Sequence, residues 1–460
     1  MKLKIIIVIF FAVNALFAQL KLGPFTGAVT PTSAEFIIKT YSKQPVKIEL
    51  FASDDIAHSI FSKETIAEDS NYNFCKIEVD SLIPNTTYYY RAIVDGYPSK
   101  RWHGFKTFAS NQRTSFSFGF GSCQQSSYSK WIPEIFPVIA QDSLRFFMQI
   151  GDWTYPDTTK KKFGYTYDSK WSLLEKSYEE KYDYNYPFSS EVLSQMPVVY
   201  VYDDHDFGWN NSDGSDPFKS NSIKAYEKFF PHYKLANPKN GIWQKFRFGN
   251  VEFFVLDLRT QRSPNMEAFD KNGKFNPPPG HSILAGYKID GENQREWLER
   301  SLKESKAEWK VIVSTVIFNP GYRKALDSDT LMKKYPWLKG DIADKWACFP
   351  EDAKDILNTI KENDIKNVIV LSGDIHTSFI DDGKNSLLPE ICASELDVPN
   401  SKMEEILAEG GIHIFDIGSY NGNGHTYGKV SFVYGKKDYA VMQIITNENK
   451  IAASYILEAK

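Results

Sequence analysis

Cysteine is scarce in this chain: there are 4 in 460 residues, at positions 75, 123, 348 and 392. So few thiols, so far apart, cannot form the disulfide framework of a small secreted scaffold. An excess of one charge is lacking too. Lys and Arg number 54 against 58 Asp and Glu, a formal net charge of −4, which argues against a general nucleic-acid binder. Past the N-terminal segment no stretch is long and apolar enough to span a bilayer. Internal repeats, low-complexity tracts, Walker A loops, GxGxxG fingerprints and serine nucleophile elbows are absent from the sequence. Those absences remove nucleotide-cofactor chemistry and covalent serine hydrolysis. Aromatics, by contrast, are plentiful at 15% of residues, and they bring enough area to bury sizeable cores. At roughly 100–200 residues per domain, the length predicts two or three domains.

Residues 1–18 pair a positive start (Lys2, Lys4) with an apolar run from Ile5 to Val13 and a small residue, Ala18, before Gln19. That pattern reads as a secretory signal peptide. The expectation is a periplasmic or secreted protein with no membrane attachment after cleavage. Export permits disulfides. With Cys123 reserved for the metal role described below, Cys348 with Cys392 is the expected pair.

Residues 20–110 read as short strands separated by turn signals, with alternation in Phe74–Val79 and Tyr88–Ile93. Such spacing without long helices suggests an antiparallel β-sandwich. The stretch from Leu82 to Tyr90 resembles the strand entry of fibronectin III/Ig-like domains. Asn111 to Thr114 reads as a polar linker. From residue 115 to 460, apolar strands alternate with helical patterns at Glu292–Lys303 and Glu351–Glu362, an α/β arrangement. The end returns to strand-like segments, the first of them Ile412 to Ile417.

Several of these strands run into polar clusters: Gly121-Ser122-Cys123, Gly151-Asp152-Trp153-Thr154-Tyr155, Asp203-Asp204-His205-Asp206, Asp257-Leu258-Arg259 and Ser372-Gly373-Asp374-Ile375-His376. Ligands in α/β sheets bind beyond the carboxyl ends of strands, so five chain-distant strands delivering Asp, His, Cys, Tyr and Arg make a constellation. A two-metal site needs a bridging carboxylate and a separate ligand set for each ion. Asp152 suits the bridge, and Tyr155 one turn on reaches a single ion. Cys123, Tyr155 and His376 favour a transition metal, whereas Asp204 and Asp374 supply hard oxygen. Asp203 reads as an acid that orients Asp204, and Asp257 as structural or supporting. His425, in Gly424-His425-Thr426-Tyr427, reads as a rim residue.

The ordered series GSC, GDxxY, DDHD, DLR and SGDxH resembles the PhoD-like alkaline phosphatases of the metallophosphoesterase superfamily, over residues 20–460. That resemblance implies a four-layer α/β (α+β) sandwich behind the N-terminal all-β domain. It implies that Cys123, Asp152, Tyr155 and His376 bind Fe3+ and that Asp152, Asp204 and Asp374 bind Ca2+, with Zn2+, Mn2+ or Mg2+ as alternatives. It places His205 beside the phosphate as acid or electrostatic stabiliser. Arg259 and Asn210 or Asn211 would be phosphate or supporting contacts. The superfamily's Asn-His-Glu and His-x-His boxes stand here as Asp204-His205-Asp206 and Asp374-Ile375-His376, and both changes add carboxylate. The implied activity is phosphatase/phosphodiesterase hydrolysis of a small phosphate ester, by in-line attack of a hydroxide activated by the metals, with no nucleic acid and no obligate protein partner. The insert from Thr158 to Pro197, rich in Tyr, Trp, Lys and Glu, is a candidate wall of the substrate pocket. The alternative reading is an exported binding or adhesion protein with a degenerate phosphatase domain.

Overall fold

The computed structural model describes residues 20–124, 135–155 and 171–460. The expected signal peptide and residues 158–170 of the insert lie outside the described residues. Among the described residues no helix is long and apolar enough to cross a membrane.

The N-terminal part is all β. Leu20–Gly27, Ala34–Thr40 and Phe74–Val79 form one antiparallel sheet. Gln44–Ala52 and Thr87–Val94 centre the other, flanked by Asp55–Phe61 and shorter strands. Alternation lets Phe36, Ile38, Ile48, Leu50, Tyr88 and Tyr90 fill the space between the sheets. Asp55–Phe61 was not foreseen, because every residue in it is exposed and it carries no burial pattern.

Two mixed sheets build the remainder. Phe116–Gly121, Phe147–Gln149 and Val198–Tyr200 run parallel in the first, beside the antiparallel C-terminal strands Thr426–Val433, Tyr439–Thr446 and Ile451–Glu458. Val251–Val255, Trp309–Val313, Val368–Ser372 and Glu390–Cys392 run parallel in the second. The sheets meet through Phe116 against Phe248 and Phe118 against Phe253, with ring centroids 3.9 Å and 5.2 Å apart. Helices Gln294–Glu304 and Pro350–Glu362 cover the second sheet, and the helix Ile135–Gln141 packs beside the first. Two mixed sheets flanked by helices agree with the layered α/β arrangement that the resemblance implied. The segment Ile412–Ile417, expected as a strand, is irregular; the strand begins at Gly418. The N-terminal sheets and the first mixed sheet share one continuous apolar cluster.

The expected Cys348–Cys392 bridge is a correction: all four thiols are free and buried. Cys348 and Cys392 each pack as small hydrophobes in the core beneath the second sheet, and the Cys392 thiol donates to the Thr377 carbonyl at 3.2 Å.

Glu390 is buried in the second sheet beside the strand that delivers Asp374. Burial raises its carboxyl to about 7, against the Ser372 hydroxyl and the Phe318 N–H that stabilise the charged form. The folded chain therefore keeps this proton where the unfolded chain, at about 4.5, has released it. Its contribution to stability is complete below about 4.5 and is lost as pH rises through about 7. Glu390→Gln should abolish that fall, read as denaturation midpoints across the same window. An unchanged slope in the variant would assign the pH dependence elsewhere.

Candidate active site

Parallel strands put their carboxyl ends on one edge, and both sheets bring that edge to the same place. Cys123 follows Phe116–Gly121, Asp152 follows Phe147–Gln149, and Asp204 opens the short helix Asp204–Phe207 after Val198–Tyr200. Asp374 and His376 follow Val368–Ser372 of the other sheet. The site thus sits where the two sheets converge.

Four of these residues hold backbone that L side chains rarely adopt: Cys123 (φ 61°), Asp152 (54°), Asp374 (75°) and His376 (50°). Left-handed non-glycine residues cost roughly 1–3 kcal/mol each and persist only where their surroundings impose them. Four such residues converging on one cleft mark a site shaped for binding. Gly151 (φ 111°) lies so close to Asp203 that an added Cβ would stand 2.4 Å from the Asp203 Cβ. Only glycine lets the loop carrying Asp152 approach the one carrying Asp204.

The donors fall into two groups joined by Asp152. In the first, the Tyr155 hydroxyl donates to Asp152 Oδ2 at 3.0 Å and lies 3.3 Å from His376 Nε2, while Cys123 Sγ is 3.8 Å from the same Asp152 oxygen. In the second, ligand atoms of Asp152, Asp204 and His205, and of Asp203, Asp204 and Asp374, lie within 4.8 Å of one another. Asp152 Oδ1, Asp203 Oδ2 and Asp204 Oδ1 are buried with no hydrogen-bond donor among the described residues. Burial, with Asp152 and Asp374 nearby, pushes the Cys123 thiol up, and burial with Asp152 does the same to the Tyr155 phenol. Burial raises Asp152 as well, and Asp204 pushes it further. It raises Asp374 to about 8, against the pull of Lys345. It lowers His376 to about 4, leaving a neutral imidazole. A pair of cations would reverse the upward shifts of the thiol, the phenol and the carboxyls, and would keep the His376 imidazole neutral. The donor types fit as well: sulfur, phenol and imidazole on one side, carboxylate oxygen on the other.

The structure brings all six expected metal ligands together. His205 is also there, its ring 4.3 Å from that of Tyr155. Of the two roles expected for Arg259, phosphate or supporting contact, its bonds fit the supporting one. Its guanidinium is buried, with Nε on Asp203 Oδ1 at 2.5 Å and the two terminal nitrogens on Asp344 at 2.7 and 3.0 Å. Asn211 contributes its backbone N–H, which donates to Asp204 Oδ2 at 2.6 Å, while its side chain donates to the Gly340 carbonyl. Asn210 is exposed. Asp257 is consumed by Tyr202, Ile242, Arg259 and Thr260. His425 joins none of the metal-compatible groups among the described residues.

Sequence reasoning missed Asp344 and Lys345. They follow the helix Leu338–Ala343 rather than a strand, so no strand-end pattern points to them. Lys345 is buried and pairs with Asp374, Asp344 and Asp341. Arg262 joins Asp344 at 2.5 Å.

Comparison with known proteins accords with this geometry. A family model described as PhoD-like phosphatase matches residues 118–414. Alkaline phosphatase D of Bacillus subtilis (strain 168) is 26% identical over 366 residues. That match takes in 73% of this chain and 58% of the relative, so the chain spans less than two thirds of the relative's length. Among solved structures, that of PhoD superposes with a TM-score of 0.73 at 20% identity, over 98% of this chain and 92% of the other. Purple acid phosphatase PPD1 from yellow lupin (Lupinus luteus) seeds superposes at 0.61 and 11% identity, over 95% of this chain and 74% of the other. Both structural likenesses establish the fold.

Removing one member of a buried ion pair strands its partners. Arg259→Met should therefore lower the unfolding free energy by about 3–5 kcal/mol, measured by urea unfolding, because Asp203 and Asp344 lose their main shared cation. A loss below about 1 kcal/mol would mean that those carboxylates are neutralised by other groups.

Proposed function

Because the chain belongs to the PhoD-like phosphatase family, we propose that it is an exported, metal-dependent phosphatase/phosphodiesterase acting on small phosphate esters. The observation that carries the reading is the double donor group sharing Asp152. Cys123, Asp152, Tyr155 and His376 would hold Fe3+; Asp152, Asp204 and Asp374 would hold Ca2+. Bound there, the two cations supply Lewis acidity toward the phosphate oxygens and an activated nucleophile at neutral pH.

The chain's own residues do the rest. Asp152 fixes the separation of the two groups, since its carboxylate belongs to both. Asp203, Arg259 and Asp344 form a buried chain of charge-assisted bonds that holds Asp204 and its neighbours rigid. Lys345 places a positive charge on Asp374 from the side of the helix Leu338–Ala343. His205 stands beside Asp152 and Asp204, where its ring N–H can donate a proton to the departing ester oxygen. The reading of a degenerate, non-catalytic domain would need a gap in this donor set, and none of the six residues is displaced. Secretion rests on the apolar N-terminal segment read from the sequence.

A thiolate and a phenolate on Fe3+ give charge-transfer colour, and a cation held by carboxylates exchanges faster than one held by sulfur. EGTA should therefore abolish hydrolysis of bis(p-nitrophenyl) phosphate while the visible band persists, and added Ca2+ should restore turnover. Tyr155→Phe should weaken or shift the band, and Asp374→Asn should raise the Ca2+ concentration needed for activity. Activity untouched by EGTA but lost to a zinc-selective chelator would replace iron and calcium by a zinc-type pair.

A further inference from the structure

The helix Trp171–Tyr182 lies between the N-terminal sandwich and the metal-ligand loops, and its two faces hold different partners. On one face Glu175 and Glu179, one turn apart, both pair with Lys39 of the strand Ala34–Thr40, whose side chain is buried. Glu179 also pairs with Lys21. Tyr182 stacks on Phe25 of the first strand, centroids 5.6 Å apart. The sandwich thus grips this helix by ion pairs and by aromatic packing. On the opposite face Lys181 runs inward. Its ammonium donates to the Trp153 carbonyl, to Asp206 Oδ1 at 2.7 Å and to Thr154 Oγ1 at 3.2 Å. The side chains of Lys181 and Asp206 are 1% and 2% exposed, so this is a fully desolvated pair.

What the pair holds decides its meaning. Asp206 Oδ2 accepts the N–H of Trp153 at 3.1 Å, so Asp206 and Lys181 together take both polar groups of the Trp153 backbone. Trp153 follows the bridging Asp152 and precedes Tyr155 by two residues. The residues on either side of it, Asp152 (φ 54°) and Thr154 (φ 88°), are both left-handed. Asp206 itself belongs to the short helix that carries Asp204 and His205. One buried cation therefore pins the strained loop of the first metal group to the helix of the second. A buried ion pair adds little net stability compared with apolar packing, so registration between the two loops is the gain it can offer.

We propose that Lys181 is a positioning residue for the metal pair, fixing the spacing of Asp152 and Tyr155 relative to Asp204 and His205, with the N-terminal sandwich as the buttress of its helix. The part of the insert expected to wall the substrate pocket would then be a strut beneath the site. This inference rests on the metallophosphatase reading.

The test uses the full chain and its Lys181→Met, Asp206→Asn and double variants. Each single variant should lower kcat on bis(p-nitrophenyl) phosphate and weaken metal retention against a chelator by about 10–100-fold, the usual effect of losing a residue that orients ligands. KM should stay within about threefold, because substrate contacts are untouched. The double variant should be no worse than the poorer single one, since the two residues act as a unit. If Lys181→Met does not fold, the near-isosteric Asp206→Asn and its metal retention carry the test. Variants that melt earlier yet keep parental kcat and metal retention would overturn the inference, leaving Lys181 a stabilising residue only. A parent chain that neither binds metal nor turns over would instead sink the metallophosphatase reading.

Discussion

Too much negative charge is buried at one edge of this protein for the chain to neutralise by itself. Buried Asp152, Asp203, Asp204 and Asp344, with the nearly buried Asp374, face Arg259, Arg262 and Lys345, an excess of two carboxylates. Removing charges from water without partners costs several kcal/mol per ion, and the Asp374 carboxyl is raised to about 8 by burial, with Asp203, Asp204 and Asp344 adding to the shift. The two cations proposed for this site would be a remedy that also makes chemistry possible. Much else is consistent with accommodating them: strained loops, a glycine where two loops nearly touch, and buried arginines paired with Asp203 and Asp344.

The fold supports this load by division of labour. Parallel strands from two sheets deliver candidate ligands to a common edge, so the donors proposed for each cation come from both sheets, through Cys123 and His376 for one and Asp204 and Asp374 for the other. The aromatic core between the sheets keeps those ends from sliding. The N-terminal sandwich is not a loosely tethered module, because its core is continuous with that of the first mixed sheet. Lys39 and Phe25 connect it to a helix that ends under the metal-ligand loop.

The convergence of the candidate ligands was legible in the sequence because strand ends leave a strong trace: an apolar run followed at once by Gly-Asp, Asp-Asp-His or Gly-Asp-x-His. The layered α/β arrangement was legible for the same reason, through continuous apolar runs. What could not be read is whatever depends on contacts across the chain. Arg259 follows its strand just as a phosphate-binding arginine would, and only the partner Asp344, 85 positions on, turns it inward. Lys181 sits in a charged helical stretch indistinguishable from a solvated face. Cys348 and Cys392 looked pairable because export allows oxidation, but each is sealed in apolar packing. Asp55–Phe61 escaped because an exposed edge strand carries no alternation.

The central claim is that one carboxylate, Asp152, serves both cations. It is tested most directly by counting metal ions per chain in Asp152→Ala by elemental mass spectrometry, beside the parent protein. The account predicts two cations in the parent and none retained through gel filtration in the variant, because each donor group loses a member. A variant that keeps either ion at parental occupancy would show that the two sites do not share this residue.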